Sequence, residues 1–215
     1  ADPRDKLVQP LIPLLERYPE IVRPLVALVD ACREDTPALR IHDECDLERY
    51  AHGVAGNVGL IMYPILGGIV PEGRALAADL GIAMQCTNIA RDVLEDLKRK
   101  RVYLPSSWLK GADPVDLLSA NPLSEPLVVD AVRRVLAFAN ERYTRGLRGL
   151  HYLAPQNRFA IRIAAHCYAA IGTRVMRNGR LARERAVVPL SQKVLLACKM
   201  GLGAKREVEM LEENS

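Results

Sequence analysis

An all-α domain is predicted by three features of this sequence. Apolar residues recur at helical spacing along most of the chain. The apolar content is mostly Leu, Ala, Val and Ile, with only 5% aromatic residues, which suits helix packing. No stretch alternates between apolar and polar and then closes in a hairpin turn, as a pair of strands would. At 215 residues the chain has the size of one large domain and can bury a substantial core. Residues 1–215 read as a single unit with no internal repeat and no low-complexity linker.

Seven main helices follow. The first two cover about 6–17 and 19–32, separated where Tyr18 precedes Pro19, a step that disfavours the helical conformation. The third runs about 46–66, with Asp43 or Asp46 as N-cap. The fourth spans about 72–98. A loop carrying Pro105, Gly111, Pro114 and Pro122 comes next. The fifth covers about 125–150 and the sixth 155–178, ending at Gly179. An extended connector, "RERAVVP", leads to the seventh at about 191–211.

Composition narrows the class. Hydrophobic residues make up 49% and charged residues 26%, ordinary for a globular protein. A net charge of +4 is a mild bias towards phosphorylated ligands or anionic membrane surfaces, and Arg on solvated helix faces accounts for it equally well. The five cysteines are odd in number and form no C-x-x-C pair. Free thiols in a reducing, cytoplasmic setting are therefore expected, rather than disulfides or zinc. No signal segment is visible at "ADPRDK", which lacks an initiating Met. Val54 to Pro71 carries no charge and approaches the length of a short membrane span. Its Gly67-Gly68 pair, Asn57 and Pro64 favour a core helix instead.

The chemistry concentrates on the fourth helix. At 100° per residue, Gly81, Gln85, Asn88, Asp92 and Asp96 fall within about 60° of one line. One face therefore grades from small and apolar, through amides, to carboxylates. A merely solvated stripe would place Lys and Glu in pairing register. Here Asp92 and Asp96 repel each other one turn apart, and both sit towards the helix C-terminus, where the dipole disfavours anions. Such a pair offers hard oxygen ligands to Mg²⁺ shared with a substrate's phosphates. The third helix interleaves Gly53, Gly56 and Gly59 with Tyr50, Val54 and Val58. Each helix-interior glycine costs about 1 kcal/mol relative to Ala, so close approach of a ligand or another helix is expected. Together the two helices suggest a tunnel with a charged mouth and an apolar interior.

Other readings carry less. The basic cluster Lys98–Arg101 has no interleaved aromatics, so no nucleic-acid partner is expected. His42-Asp43 evokes a metal phosphohydrolase, but His52, His151 and His166 have no recognisable ligand spacing, and no E-x-x-H occurs for a diiron bundle.

Taken together, "YAHGVAGNVG", "GIAMQCTNIARDVLEDLKRKRVYLP" and "RIAAHCYAAIGTRV" resemble the squalene/phytoene synthase family, over about residues 11–199. The resemblance implies the isoprenoid synthase fold and head-to-head (1′–1) condensation of two prenyl diphosphates through a cyclopropylcarbinyl diphosphate. It implies Mg²⁺, replaceable by Mn²⁺, held between two aspartate-rich motifs. Asp92 and Asp96 would form the second motif, with Asn88 as a further metal ligand and Gln85 on the path to the cluster. Tyr50, Arg91 and Tyr103 would contact diphosphate or order its neighbours. Val54, Gly59, Gly81 and Tyr168 would shape the prenyl tunnel, and Lys193 would reach a diphosphate. Geranylgeranyl diphosphate is favoured over farnesyl diphosphate by the look of "RVYLP". NADPH would serve a squalene-forming member alone, and peripheral membrane contact is expected from an apolar product. The family's first aspartate-rich motif is not found, so the chain reads as lacking N-terminal helices and as inactive by itself. "AVVPLSQK" has fewer basic residues before Lys193 than expected. A helical scaffold that kept the fold without catalysis is the alternative. The sequence fixes no oligomeric state.

Overall fold

The computed structural model describes residues 6, 8–111, 126–177, 180–181, 186–195 and 197–198. After a 3₁₀ turn at Gln9–Leu11 come α1 (Ile12–Arg17), a second 3₁₀ turn (Pro19–Ile21) and α2 (Val22–Glu34). The first expected helix is thus shorter than its periodicity suggested, since Pro10 and Pro13 lack the amide protons an α-helical ladder needs. The expected third helix is continuous in space but changes pitch: α3 (Glu44–Ala51), a π-helical turn (His52–Gly56) and α4 (Asn57–Ile65). Asp43 is its N-cap, accepting from the Asp46 amide at 2.9 Å. Just past the wide turn the Asn57 side-chain Nδ2 donates back to the Gly53 carbonyl at 3.0 Å.

The longest helix, α5 (Glu72–Lys98), matches its expected span and forms the axis of the domain. It packs on α4, on α6 (Pro126–Leu147) and on α7 (Pro155–Val175), with a 3₁₀ segment (Arg148–Tyr152) joining the last two. Twelve of its residues are buried, among them Ile82, Ala83, Cys86, Ile89, Ala90 and Val93. Val128, Val132 and Val135 of α6 are fully buried in the same core. Among the described residues the core is one contiguous cluster.

One expectation needs correction. The sixth helix stops at Val175, and Met176–Arg177 pairs antiparallel with Arg180–Leu181. This two-residue ladder is too short to leave an alternating pattern in the sequence. The expected stop at Gly179 and most of the seventh helix lie outside the described residues; helix is described at 190–195.

α4 and α5 run antiparallel in a strict register. A Cβ placed on Gly81 would lie 2.1 Å from the Ala55 carbonyl oxygen, and one on Gly59 would lie 2.1 Å from that of Ala77. One step further, a Cβ on Gly73 would meet the Tyr63 hydroxyl at 2.1 Å. Facing residues thus advance four at a time on both helices, which is one turn per step. At Gly59 and Gly81 backbone meets backbone, whereas at Gly73 it meets the Tyr63 side chain.

Candidate active site

This close-packed pair flanks a cavity of about 240 Å³. Its wall on α5 runs along one stripe, from Gly73 through Ala77, Gly81 and Gln85 to Asn88. Packed beside that stripe, Ala55, Gly59 and Tyr63 also line the cavity, as do Gly149, Leu150, Leu153 and Ile161. The wall is almost wholly apolar except at Gln85 and Asn88. Val58 and Met62 lie at its edge and are themselves exposed.

At the amide end, Asn88 Nδ2 donates to Gln85 Oε1 at 3.4 Å, while Asn88 Oδ1 is buried with no hydrogen-bond partner. A buried, unpaired carbonyl oxygen costs about 1–3 kcal/mol, so this one stands ready for a donor or a cation. One turn on, Asp92 is held by its neighbour Arg91 in a two-pronged contact, Nε to Oδ1 at 2.7 Å and Nη2 to Oδ2 at 2.5 Å. Both side chains are largely sheltered, 17% and 14% exposed. A turn further, burial and then the charge of Asp92 push the Asp96 carboxyl up to about 6. Asp92 and Asp96 do not line the large cavity. They continue its stripe beyond Asn88, and Asp96 borders a small hollow with Arg101 and Tyr103.

The basic cluster has a structural explanation. Lys100 adopts a left-handed conformation, φ +60°. The Lys100 amide donates to Leu97 and the Arg101 amide to Asp96, the paired bonds that end a helix. The reversal swings Arg101 towards α2. There Tyr103 Oη donates to Asp35 Oδ1 at 2.8 Å, Tyr50 Oη donates to Oδ2 at 3.2 Å, and Arg101 Nη1 lies 3.6 Å from that same Oδ2. Arg101 Nη1 also donates to the Tyr103 hydroxyl, and the two Tyr rings stack with centroids 5.0 Å apart. Tyr50 and Tyr103, forecast from opposite parts of the chain, therefore share one carboxylate. Asp35 escaped the sequence reading, because a single acid just past a helix end carries no spacing signal.

The remaining forecast residues are placed less centrally. Val54 sits in the π turn beside Ala55 and is half-buried. Tyr168, on α7, packs against the core near the Tyr143 hydroxyl, which is 3.0 Å from that of Thr87. Lys193 is exposed on the last described helical turn. That turn is tied to α7 by a short contact between Arg174 and Gln192, and by Arg174 Nη1 donating to Val187 O at 3.3 Å.

A second polar group lies behind the cavity. Asp79, 2% exposed, accepts from Arg142 at 2.8 Å, and Arg142 also pairs with Glu48 at 2.8 Å. The other Asp79 oxygen lacks a well-aligned hydrogen bond but faces Arg145 Nε at 3.1 Å. Asp79 went unremarked in the sequence reading, because a lone acid in the apolar run "ALAADLGIA" has its partners on another helix.

Among the described residues, no group of three or more His, Cys, Asp or Glu side chains could hold a metal unaided. Among the described residues no helix is long and apolar enough to cross a membrane.

The family model "Squalene/phytoene synthase" matches residues 1–192. A phytoene synthase of Cereibacter sphaeroides is 36% identical over 73% of this chain and 44% of its own length. One from Thermus thermophilus is 37% identical over 89% of this chain and 66% of its own. The chain spans about half the length of most of these curated relatives. Among solved structures, a dehydrosqualene synthase superposes with a TM-score of 0.78 at 25% identity, covering 91% of this chain and 70% of that one. A squalene synthase of Alicyclobacillus acidocaldarius, at 23% identity and TM-score 0.66 over 73% of this chain and 60% of its own, shares the fold. With a family match over nearly its whole length and the all-α isoprenoid synthase fold, the chain belongs to the squalene/phytoene synthase family.

Proposed function

We propose that the protein condenses two prenyl diphosphates head to head (1′–1), through a cyclopropylcarbinyl diphosphate, to phytoene or a squalene-type hydrocarbon. The observation that carries this reading is the grading along α5. An apolar cavity ends at a buried, unpaired amide oxygen, and two carboxylates continue the same stripe. The phytoene synthases among its relatives support geranylgeranyl diphosphate as substrate, with farnesyl diphosphate as the shorter alternative.

Asn88, Asp92 and Asp96 would hold Mg²⁺, and Mn²⁺ meets the same hard oxygen donors. The donor set fits one side of such a site. A first aspartate-rich motif preceding the matched helices completes it in this proposal. When bound, the metal neutralises the leaving diphosphate and fixes its position. The chain's own residues do the rest. Gln85 orients the Asn88 amide, and the Arg91 fork holds Asp92 in one rotamer. Asp35 gathers Tyr50, Tyr103 and Arg101 into one group, Arg101 and Tyr103 share a hollow with Asp96, and the remaining N–H donors of Arg101 can meet phosphate oxygens. The apolar wall keeps water from the allylic cation formed when the C–O bond breaks, so that the second chain's double bond captures it. NADPH enters for a squalene-forming reaction alone. For the apolar product we place a peripheral membrane contact at the 67–71 loop, where Ile69 is 89% exposed. Ile69→Asp should lower co-sedimentation with anionic vesicles, and an unchanged bound fraction removes that contact.

Incubating the intact protein with each diphosphate and Mg²⁺, then identifying the hydrocarbon, tests the reaction. A head-to-head product is expected, with geranylgeranyl diphosphate preferred. Absence of any hydrocarbon from either substrate refutes the reading in favour of a non-catalytic helical scaffold.

A further inference from the structure

The register between α4 and α5 changes character at its third step. At Ala55·Gly81 and Gly59·Ala77 both partners are small and the cavity passes alongside. At Tyr63·Gly73 an aromatic ring fills the space. A Cβ on Gly73 would lie 2.1 Å from the Tyr63 hydroxyl, and one on Gly68 would lie 2.3 Å from its ring. Tyr63 and Gly73 both line the cavity, at the end opposite Asn88. Gly73 and Asn88 lie fifteen positions apart on α5, about 22 Å at the helical rise. We propose that Tyr63 is the floor of the apolar channel and sets the length of prenyl chain that the channel accepts.

The ring is fixed rather than hinged. Its hydroxyl donates to the Val70 carbonyl at 2.7 Å, and the residue is 2% exposed. Its own backbone belongs to the stop of α4: Gly67 is left-handed at φ +85°, its amide donates to Pro64, and the Gly68 amide donates to the Tyr63 carbonyl at 2.9 Å. The next turn of chain is pinned to the start of α7. The Ala154 amide and the Asn157 side chain both donate to the Leu66 carbonyl, at 3.1 and 3.0 Å. The side chain is thus bonded at its tip and its backbone is held on both flanks. The tail of a prenyl chain reaching down from the diphosphate end stops against the ring.

This inference rests on the proposed prenyl-transfer function, and the test separates the two. The intact protein and its Tyr63→Leu and Tyr63→Phe variants are assayed with prenyl diphosphates differing by one isoprene unit. Tyr63→Leu should raise the kcat/KM ratio of the next longer substrate to the preferred one by tenfold or more. Tyr63→Phe keeps the ring and should leave that ratio within about twofold, although its stability falls with the lost hydrogen bond. If folded Tyr63→Leu keeps the original ranking, or Tyr63→Phe shifts it equally, the floor assignment is overturned while the reaction stands. If the unaltered protein converts no prenyl diphosphate, both fall. Should Tyr63→Leu not fold, alkyl diphosphates of increasing length are bound to the unaltered protein. Affinity should rise about fourfold per methylene and then stop at one length. A rise without a break through the series overturns the floor.

Discussion

Replacing Gly81 with Ala sets two effects of opposite sign against each other. Taken alone, Ala in a helix interior is favoured over Gly by about 1 kcal/mol. The new methyl, however, would sit 2.1 Å from the Ala55 carbonyl oxygen and 2.7 Å from its carbon. Ordinary contact needs about 3.5 Å, so α4 and α5 must part by more than 1 Å. The obstacle is main chain, which cannot rotate aside. Overpacking of this kind costs about 1–3 kcal/mol, and a backbone obstacle belongs at the upper end. Gly81→Ala should therefore destabilise by about 2 kcal/mol net, measured by urea unfolding. Gly59→Ala opens the same seam from the other helix, against the Ala77 carbonyl at the same 2.1 Å. Once one methyl has parted the helices, the second should cost less, so the double variant should fall short of the sum. A stabilisation of about 1 kcal/mol in Gly81→Ala would show that propensity alone operates and that the helices do not touch there. Strict additivity of the pair would also refute the shared seam.

Three further outcomes follow from the same structure. Asp79→Ala leaves Arg142, 14% exposed, without its buried partner, and should cost about 3–5 kcal/mol in urea unfolding; a loss under 1 kcal/mol would mean that Glu48 alone suffices for Arg142. Burial pushes the Cys86 thiol up from its ordinary 9.0 to about 12, so the unfolded chain sheds this proton first as pH rises. Raised native affinity for a proton is stability held at low pH and lost at high pH, here about 1.4 kcal/mol between pH 8 and pH 10. Cys86→Ala should flatten the stability profile by that amount over that window, and an identical slope would contradict it. Lys100 carries a side chain in the left-handed region at the end of α5, so Lys100→Gly should raise stability by about 0.5–1 kcal/mol in thermal unfolding; a loss would show that the Lys side chain is itself a stabilising contact.

Much of this architecture can be read in the residues, and the exceptions have physical causes. α5 declares itself through a long, uninterrupted period and ends where its stripe turns to carboxylates. Asp43 announces its helix by cap chemistry. The glycines at 59 and 81 signal close approach, though a single sequence cannot show that they face the Ala77 and Ala55 carbonyls in one register. The π turn at His52–Gly56 hides because adding one residue to a turn leaves the composition unchanged. Pro10 and Pro13 shortened the first helix, a constraint that periodicity alone underweights. At the site, the stripe from Gln85 to Asp96 was legible because its members share one helix. Asp35 was not, since it joins Tyr50, Tyr103 and Arg101 only through tertiary packing of α2, α3 and the segment beyond α5. Tyr63 drew no sequence-based expectation for the same reason.

The account depends on the amide and carboxylates of α5 receiving a divalent cation together with a diphosphate at the channel's polar end. The most direct measurement is the electron paramagnetic resonance titration of Mn²⁺ into the intact protein with inorganic pyrophosphate, repeated with Asp92→Asn, Asp96→Asn and Asn88→Ala. Pyrophosphate should strengthen Mn²⁺ binding in the unaltered protein, and each variant should weaken that ternary binding by tenfold or more while remaining folded. Equal ternary affinity in all four proteins would contradict the account.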